Sequence, residues 1–550
     1  MTVLQARGLN VAYRRADGGA MRAVIDASLT LAEGESLGIV GESGSGKSTL
    51  ARALMGYCRP GGVITSGDIL LEGRDIRALD GAEARALRGG RIAFVPQNPL
   101  ASLTPHMRVG AQVAEAVRIH RRCDAREARR ATLELFEATR LPDPPALYQR
   151  FPRELSGGQR QRIVVSAALA GSPRLVILDE PTTALDKTTE AQVLDLVQSL
   201  RARLGAALIY VSHDLHVISA MCERVLVMLR GEVVEEGPTA RVYREPRHGY
   251  TRRLIAAVPR IDGPAAHPAR VAASAPLLRL EGVGYTYPSR KGWLRPASAV
   301  ERPALQGLSL EIRPGETVGL VGESGSGKST AAAIVAGLLA PQAGRLAYAG
   351  QPLAGLARDR TAELRRRIQI IFQDPLSSLN PRQRIDAILA RPLALFHGLT
   401  GVAARARSAE LMAQLQLEPE LLDAYPRQLS GGQQQRVAIA RAFAAEPDLV
   451  ICDEITSALD VSVQDQVLSL LEGLQARSGT ACLFISHDLG VIARVASRVV
   501  VLCDGITREA GPTESILQRP GDEYTRLLVA AARRGHENFA DSPASLAAAS

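Results

Sequence analysis

The segment Val40 to Thr49, VGESGSGKST, recurs unchanged at Val321 to Thr330. Each copy contains a G-x-x-x-x-G-K-[ST] loop, Gly41 to Ser48 and Gly322 to Ser329. Glycines at Gly41, Gly44 and Gly46, and at Gly322, Gly325 and Gly327, let successive backbone N–H groups point inward around phosphate oxygens. They do so at a helix N-terminus, which already favours anions. Lys47 and Lys328 then neutralise β- and γ-phosphate, while Ser48 and Ser329 offer a hydroxyl to Mg²⁺. Thr49 and Thr330 close each loop. This is nucleotide-phosphate chemistry, twice on one chain.

Two further motifs accompany each loop. LVILDE at Leu175 to Glu180 is mirrored by LVICDE at Leu449 to Glu454. An apolar strand ending in two acids puts Asp179 or Asp453 near the metal, and lets Glu180 or Glu454 polarise an attacking water. General-base help of that kind is worth roughly 10²–10⁴-fold. LSGGQ occurs at Leu155 to Gln159 and Leu429 to Gln433. Ser156, Gly157, Gly158 and Gln159, like Ser430, Gly431, Gly432 and Gln433, make a second anion-binding helix start ahead of an arginine-rich helix.

Elements must hold these groups together. Tyr13 returns as Tyr287, Ser156 as Ser430, Asp179 as Asp453 and His213 as His487, all at one constant spacing. So long a repeat is a duplicated domain rather than a solenoid unit. The expected organisation is a first domain over 1–261, a Pro- and Ala-rich linker over 262–276, a second domain over 277–534 and a disordered tail over 535–550. A short insertion in the second copy falls within Pro288 to Pro303, a surface loop holding the single tryptophan, Trp293. Both phosphate loops follow an apolar strand (Ser36 to Val40; Thr317 to Val321) and precede a helix-like run (Leu50 to Met55; Ala331 to Leu339). Further apolar strands end at Asp179, at Ser212 and at their second-copy equivalents. The pattern predicts an α/β fold: two P-loop nucleotide-binding domains, each a mainly parallel sheet flanked by helices, with ligand at the carboxyl ends of the strands.

Bulk composition bounds the rest. The chain has 550 residues, 46% hydrophobic and 22% charged, with ordinary globular balance. The net charge of +9 comes from arginine; the four lysines are Lys47, Lys187, Lys291 and Lys328. Lysine is thus kept where a compact ammonium must fit between phosphates. Aromatics are only 4% and are not interleaved with basic runs, which disfavours nucleic acid as a partner. The six cysteines (Cys58, Cys123, Cys222, Cys452, Cys482 and Cys503) show no metal-ligand spacing and read as reduced thiols. The longest apolar stretches, such as Ala331 to Ala340, are about half of what a bilayer span requires. No signal-peptide pattern opens the sequence. The expectation is a cytosolic chain or one seated on a membrane from the cytosolic side.

Phosphate loop, acidic strand end and LSGGQ together resemble the ATP-binding-cassette (ABC) ATPases, over almost the whole chain. The resemblance extends to Gln97 and Gln373, to TALD and SALD at Thr183 to Asp186 and Ser457 to Asp460, and to His213 and His487. It implies that Gln97 and Gln373 approach nucleotide and metal. It also implies that Tyr13 and Tyr287 stack on adenine, and that His213 and His487 sense the γ-phosphate. LSGGQ then contacts the γ-phosphate of ATP held by the opposite domain. One ATP would lie between the first loop and Ser430, Gly431 and Gly432, the other between the second loop and Ser156, Gly157 and Gly158. Fusion of both halves sets their effective concentration at about millimolar. Neither half lacks its glutamate or LSGGQ; Ile455 replaces the residue matching Pro181, but that proline carries no catalytic group. Two competent sites are expected.

QNPLASLTP (Gln97 to Pro105), QDPLSSLNP (Gln373 to Pro381), HGYTRRLIAAVP (His248 to Pro259) and DEYTRLLVAA (Asp522 to Ala531) resemble the peptide and nickel importer branch. Fused double cassettes of that branch resemble the ATPases of glutathione and microcin-type peptide importers. The implied protein is an importer motor on the cytoplasmic face of the inner membrane. Its helical subdomains, Gln97 to about Glu154 and Gln373 to about Gln428, would seat two polytopic permeases, which work with a solute-binding protein. Alternatives are a same-branch motor for nickel or another non-peptide solute, and a soluble cassette ATPase acting on ribosomes or nucleic acid. The short, weakly charged linker argues against the last. Some relatives hold an iron–sulfur cluster after the YTR segment; Arg260 to Pro276 contains no cysteine, so none is expected.

Overall fold

The computed structural model describes residues 1–14, 18–182, 186–262, 275–288, 303–457 and 459–533. Thr183 to Leu185 of TALD, Ala458 of SALD, most of the expected linker, Trp293 with its insertion, and the tail lie outside these residues.

Short runs of Val, Ile and Leu that are apolar at every position belong to strands covered on both faces. Four such runs build one side of the first sheet: Ile92–Val95 at the edge, then Leu175–Asp179, Ala207–Val211 and Ser36–Val40, all side by side and parallel. Arg224–Leu229 extends the sheet in parallel, and Glu232–Pro238 closes its edge antiparallel. The second half repeats this order with Ile368–Ile371, Leu449–Asp453, Ala481–Ile485, Thr317–Val321, Arg498–Cys503 and Ile506–Pro512. The expected mainly parallel sheet is therefore present twice.

Each half also carries a four-stranded antiparallel sheet that the sequence reading did not include. In the first half it is built on Thr2–Arg14, paired with Ala20–Ala32 and Gly62–Leu71. In the second it is built on Leu278–Tyr285, paired with Leu305–Ile312 and Ala343–Tyr348. One face of each parallel sheet packs with this antiparallel sheet and the phosphate-loop helix around residues such as Leu37, Leu50 and Leu226, or Leu320, Ile334 and Leu502. The opposite face packs against the LSGGQ helix and the helices near it. Each fully buried leucine or isoleucine contributes about 1.5–3 kcal/mol.

The segments between glutamine and LSGGQ are helical, with Val109–Arg121 and Ala125–Ala138 in one half and Ile385–His397 and Gly401–Gln414 in the other. The latter two helices are bent by 112°, and no single helix among the described residues is long and apolar enough to cross a membrane. The two halves interlock. Ile261, from the end of the first, is buried in a core of the second, and Val461 of the second packs on a core of the first.

Candidate functional site

Both phosphate loops leave a buried strand and turn into a helix that begins at the lysine, Lys47–Ala53 and Lys328–Ala336. The turn requires Gly46 and Gly327, whose φ values of 103° and 105° lie in the left-handed region. A Cβ on Gly46 would stand 2.2 Å from the Ala23 carbonyl of the antiparallel sheet, and one on Gly327 2.3 Å from that of Ala304. Gly44 and Gly325 also have positive φ and open surroundings, and Gly41 and Gly322 lie against the Met228 and Leu502 carbonyls. Lys47 Nζ donates to the carbonyls of Gly41 and Glu42 at 2.7 and 2.9 Å. Lys328 does the same to Gly322 and Glu323 at 2.8 and 2.7 Å. Both ammonium groups are nearly buried, and desolvation holds their pKa below the usual lysine value despite neighbouring carboxylates. A poorly hydrated cation of this kind attracts phosphate strongly. Ser45 Oγ and Ser326 Oγ are buried in the same loops without a hydrogen-bond partner. An orphaned hydroxyl in each copy of the loop suits an incoming phosphate oxygen.

The acidic strand ends meet these helices. Ser48 Oγ donates to Asp179 Oδ1 at 2.6 Å, and Ser329 Oγ to Asp453 Oδ1 at 3.3 Å. Burial raises the pKa of both aspartates. A hydroxyl beside a carboxylate is a hard-oxygen donor set of the kind Mg²⁺ takes. The two copies differ in one respect: Arg52 forms an ion pair with Asp179 at 2.7 Å, and its second-half counterpart is Ala333.

Glu180 and Glu454 both adopt φ of 49°, turning the chain sharply after the strand. Their amides donate to the Val211 and Ile485 carbonyls at 2.9 and 3.1 Å, which fixes the turn. Gln97 Nε2 donates to Glu180 Oε2 at 2.8 Å, and His213 Nδ1 lies 3.3 Å from the same oxygen. Gln373 and His487 approach Glu454 Oε2 at 2.9 and 3.6 Å. Burial disfavours protonated His213, but the Glu180 hydrogen bond and charge outweigh it and leave its pKa raised. Burial pushes Glu454 up, yet His487 and Lys328 outweigh that and hold its carboxyl below the usual range. Glutamine, glutamate and histidine, far apart in sequence, are thus one cluster at each strand end.

In the second half this cluster opens into a cavity of about 1080 Å³ lined by Lys328, Ser329, Thr330, Gln373, Glu454, His487 and Tyr287. Tyr287 is 53% exposed, stands edge-on to Tyr285, and its hydroxyl is 3.2 Å from Thr330 Oγ1. Tyr13 lies near the end of its strand, opposite Gly62, and Thr49 sits in the first turn of the loop helix. Asp186 of the first half joins the cavity lining, whereas Ser156 to Gln159 do not. Instead Ser156 Oγ accepts from the Gln159 amide at 3.2 Å while Gln159 Oε1 accepts from the Ser156 amide at 3.1 Å. Ser430 and Gln433 form the same box at 3.3 and 2.9 Å. LSGGQ therefore caps its own helix, and the groups facing each loop across the junction come from the end of SALD and from the first turns of the helices that follow TALD and SALD. Ser43 Oγ donates to Asp460 Oδ1 at 2.9 Å, Ser462 Oγ to Glu42 Oε1 at 2.6 Å, and Thr188 Oγ1 to Glu323 Oε1. Sequence reasoning missed Glu42, Ser462 and Arg52, because their importance lies in pairing across long sequence separations.

The ABC transporter family model matches residues 24–183 and 305–457, the two segments that carry the phosphate loops, the glutamines, LSGGQ and the acidic strand ends. The chain belongs to the ABC transporter family. The oligopeptide/dipeptide transporter C-terminal region matches residues 234–284. Along its length the chain is 40% identical to the glutathione import ATP-binding protein GsiA of Escherichia coli, covering 96% of this chain and 89% of the relative. The GsiA of Pectobacterium atrosepticum is 41% identical at the same coverage. A solved complex of the archaeal ribosomal stalk protein aP1 and the ribosome recycling factor aABCE1 matches with a TM-score of 0.60. It is 22% identical over 89% of this chain and 86% of that one, a likeness of fold alone. The present ABC protein is an ATPase, the motor subunit of a peptide-class importer.

Proposed function

We propose that both clusters hydrolyse ATP and that ATP binding and hydrolysis at the two sites drive import through two separate membrane permeases. The observation carrying this reading is the duplicated Gln–Glu–His cluster beside a phosphate loop and an acidic strand end. In each half, loop amides and lysine bind the phosphates, with the orphaned serine hydroxyl beside them. Ser48 and Asp179, and Ser329 and Asp453, would hold Mg²⁺, with Gln97 and Gln373 nearby; the metal offsets phosphate charge when bound. Glu180 or Glu454 takes a proton from water as its oxygen attacks the γ-phosphorus and the bond to the β-phosphate oxygen breaks. Gln97 with His213, or Gln373 with His487, holds that carboxylate in place. Tyr13 and Tyr287 receive adenine. Closure would bring Ser156 to Gln159 and Ser430 to Gln433 onto the nucleotide of the opposite half, so ATP favours the closed state by touching both halves only there. We take 1–261 and 277–534 as the two cassettes. Their helical segments face the permeases at the cytoplasmic side of the inner membrane, with a solute-binding protein delivering cargo. The relatives' named solute makes glutathione the first peptide to assay in uptake.

The test is the double variant Glu180→Gln, Glu454→Gln. It should keep ATP bound and lose turnover by at least about 10²-fold; hydrolysis at the parental rate would refute the assignment. Purification from mildly solubilised host membranes should bring two different polytopic permeases with the chain.

A further inference from the structure

The C-terminal segment of each half, HGYTRRLIAAVP and DEYTRLLVAA, has no part in the chemistry above. It ends in an amphipathic helix, Gly249–Ala256 in the first half and Glu523–Arg533 in the second. The approach to each helix is built twice in the same way. The Glu235 carboxylate accepts from the amides of Arg247 and His248 at 2.9 and 3.0 Å, and Glu509 from those of Gly521 and Asp522 at 2.9 and 3.2 Å. The helix start is thereby pinned to the edge strand of its own sheet. One residue into the turn, Tyr250 Oη accepts from the Glu42 amide at 3.0 Å, and Tyr524 Oη from the Glu323 amide, also at 3.0 Å.

Glu42 and Glu323 are the second residues of the phosphate loops, and they are held from three sides. Their amides bind tyrosine, and their carbonyls accept from Lys47 and Lys328. Their carboxylates accept from Ser462 and Thr188 of the opposite half. The same C-terminal segment also touches the opposite half: beyond the first helix, Pro259 is so close that a Cβ on Gly490 would stand 2.9 Å from its carbonyl. An amide fixed at the start of the loop sets where the following peptide and its lysine contact lie.

We propose that Tyr250 and Tyr524 are positioning residues for ATP, each holding the entry peptide of its own phosphate loop and linking that loop to a helix seated on the opposite half. The inference rests on nucleotide binding at the two loops. Replacement by phenylalanine keeps the ring and removes only the acceptor, leaving a loop amide unpaired.

The experiment compares the parent with Tyr250→Phe, Tyr524→Phe and the double variant by nucleotide titration, steady-state ATPase assay and melting without nucleotide. Each single variant should weaken ATP at one of the two sites by about fivefold to tenfold, the size expected for one lost hydrogen bond. The double variant should do so at both, raising KM more than it lowers kcat and melting like the parent without nucleotide. Parental affinity in the double variant would overturn the proposal. So would an affinity loss matched by an equal fall in melting temperature without nucleotide, since the hydroxyl would then be holding the fold. Failure of the parent itself to bind ATP would instead refute the nucleotide reading.

Discussion

At the scale of single residues the two sites are alike in their bases and unlike in their aspartates. Asp179 is fully buried, with Ser48 on one oxygen and Arg52 on the other, and Arg52 also lies over the Phe94 ring. In the second half, Ala333 and Ile370 occupy the positions of Arg52 and Phe94, so Asp453 keeps only its serine contact and the Lys328 charge nearby. Removing one partner of a buried pair leaves an uncompensated charge, a loss of roughly 3–5 kcal/mol. Arg52→Ala should sit at the low end of that range, because Arg52 is itself 11% exposed and Ser48 remains. Chemical denaturation should show one half unfolding earlier while the transition of the other is unmoved. An unshifted curve would mean that Asp179 finds water once Arg52 is gone.

Packing between elements explains what a local motif cannot. Gly158 and Gly432 follow Ser156 and Ser430 in LSGGQ, and neither has positive φ. Their lack of a side chain is required by the next helix instead. A Cβ on Gly158 would meet Thr189 Cγ2 at 2.5 Å, and one on Gly432 would meet Val463 Cγ1 at 2.4 Å. LSGGQ is thus wedged against the helix that follows TALD or SALD, which carries the groups reaching the opposite loop. Gly158→Ala or Gly432→Ala should cost about 1–3 kcal/mol through overpacking. Gly431→Ala, whose Cβ would meet nothing within 4 Å, should cost nothing and gain up to about 1 kcal/mol from helix propensity. Melting of the three variants checks the contrast. Equal losses would show that the contacts with Thr189 and Val463 are not what costs stability.

The same comparison shows what was legible in the sequence. The phosphate loops were, because each step of their chemistry demands a residue type at a fixed short distance: glycine for the turn, lysine for phosphate, serine for metal. The parallel strands were, because they are apolar on both faces. The antiparallel sheets were not. Thr2–Arg14 is buried at roughly alternate positions, and its register shifts near Leu9 and Val11 interrupt the pattern. Tyr250 was read only as part of a branch-specific helix, since its partner Glu42 is set by how the last helix folds back onto the first loop.

At the scale of the whole molecule the duplication is broken where the halves meet. Lys187, just after TALD, reaches Glu190 at 2.8 Å and Asp214 at 2.9 Å; the matching residue of the second half is Val461. Around it lies a small cavity of about 90 Å³ shared by both halves, with His213, His487, Gln464 and Asp488 in its wall. Burial opposes the ammonium, but Asp214, Glu190 and Asp488 outweigh it and raise its pKa well above the usual value. For Asp214, burial pushes the carboxyl up and the Lys187 charge outweighs it, holding it well below the usual range. One lysine thus serves acids from both halves, and Lys187→Met should cost about 3 kcal/mol at neutral pH by removing the ammonium from these buried carboxylates. The sign of the pH dependence follows from Asp214. A carboxyl held below its unfolded value contributes stability that is complete above about pH 4 and lost as pH falls through its folded value. The unfolded chains of parent and Lys187→Met titrate alike, so the difference between them should hold steady near neutral pH and shrink as pH falls through the Asp214 value of the variant, which burial raises once the Lys187 charge is gone. Chemical denaturation across that range measures it, and a difference that grew toward acid would show that Lys187 is not what holds Asp214 ionised at the junction.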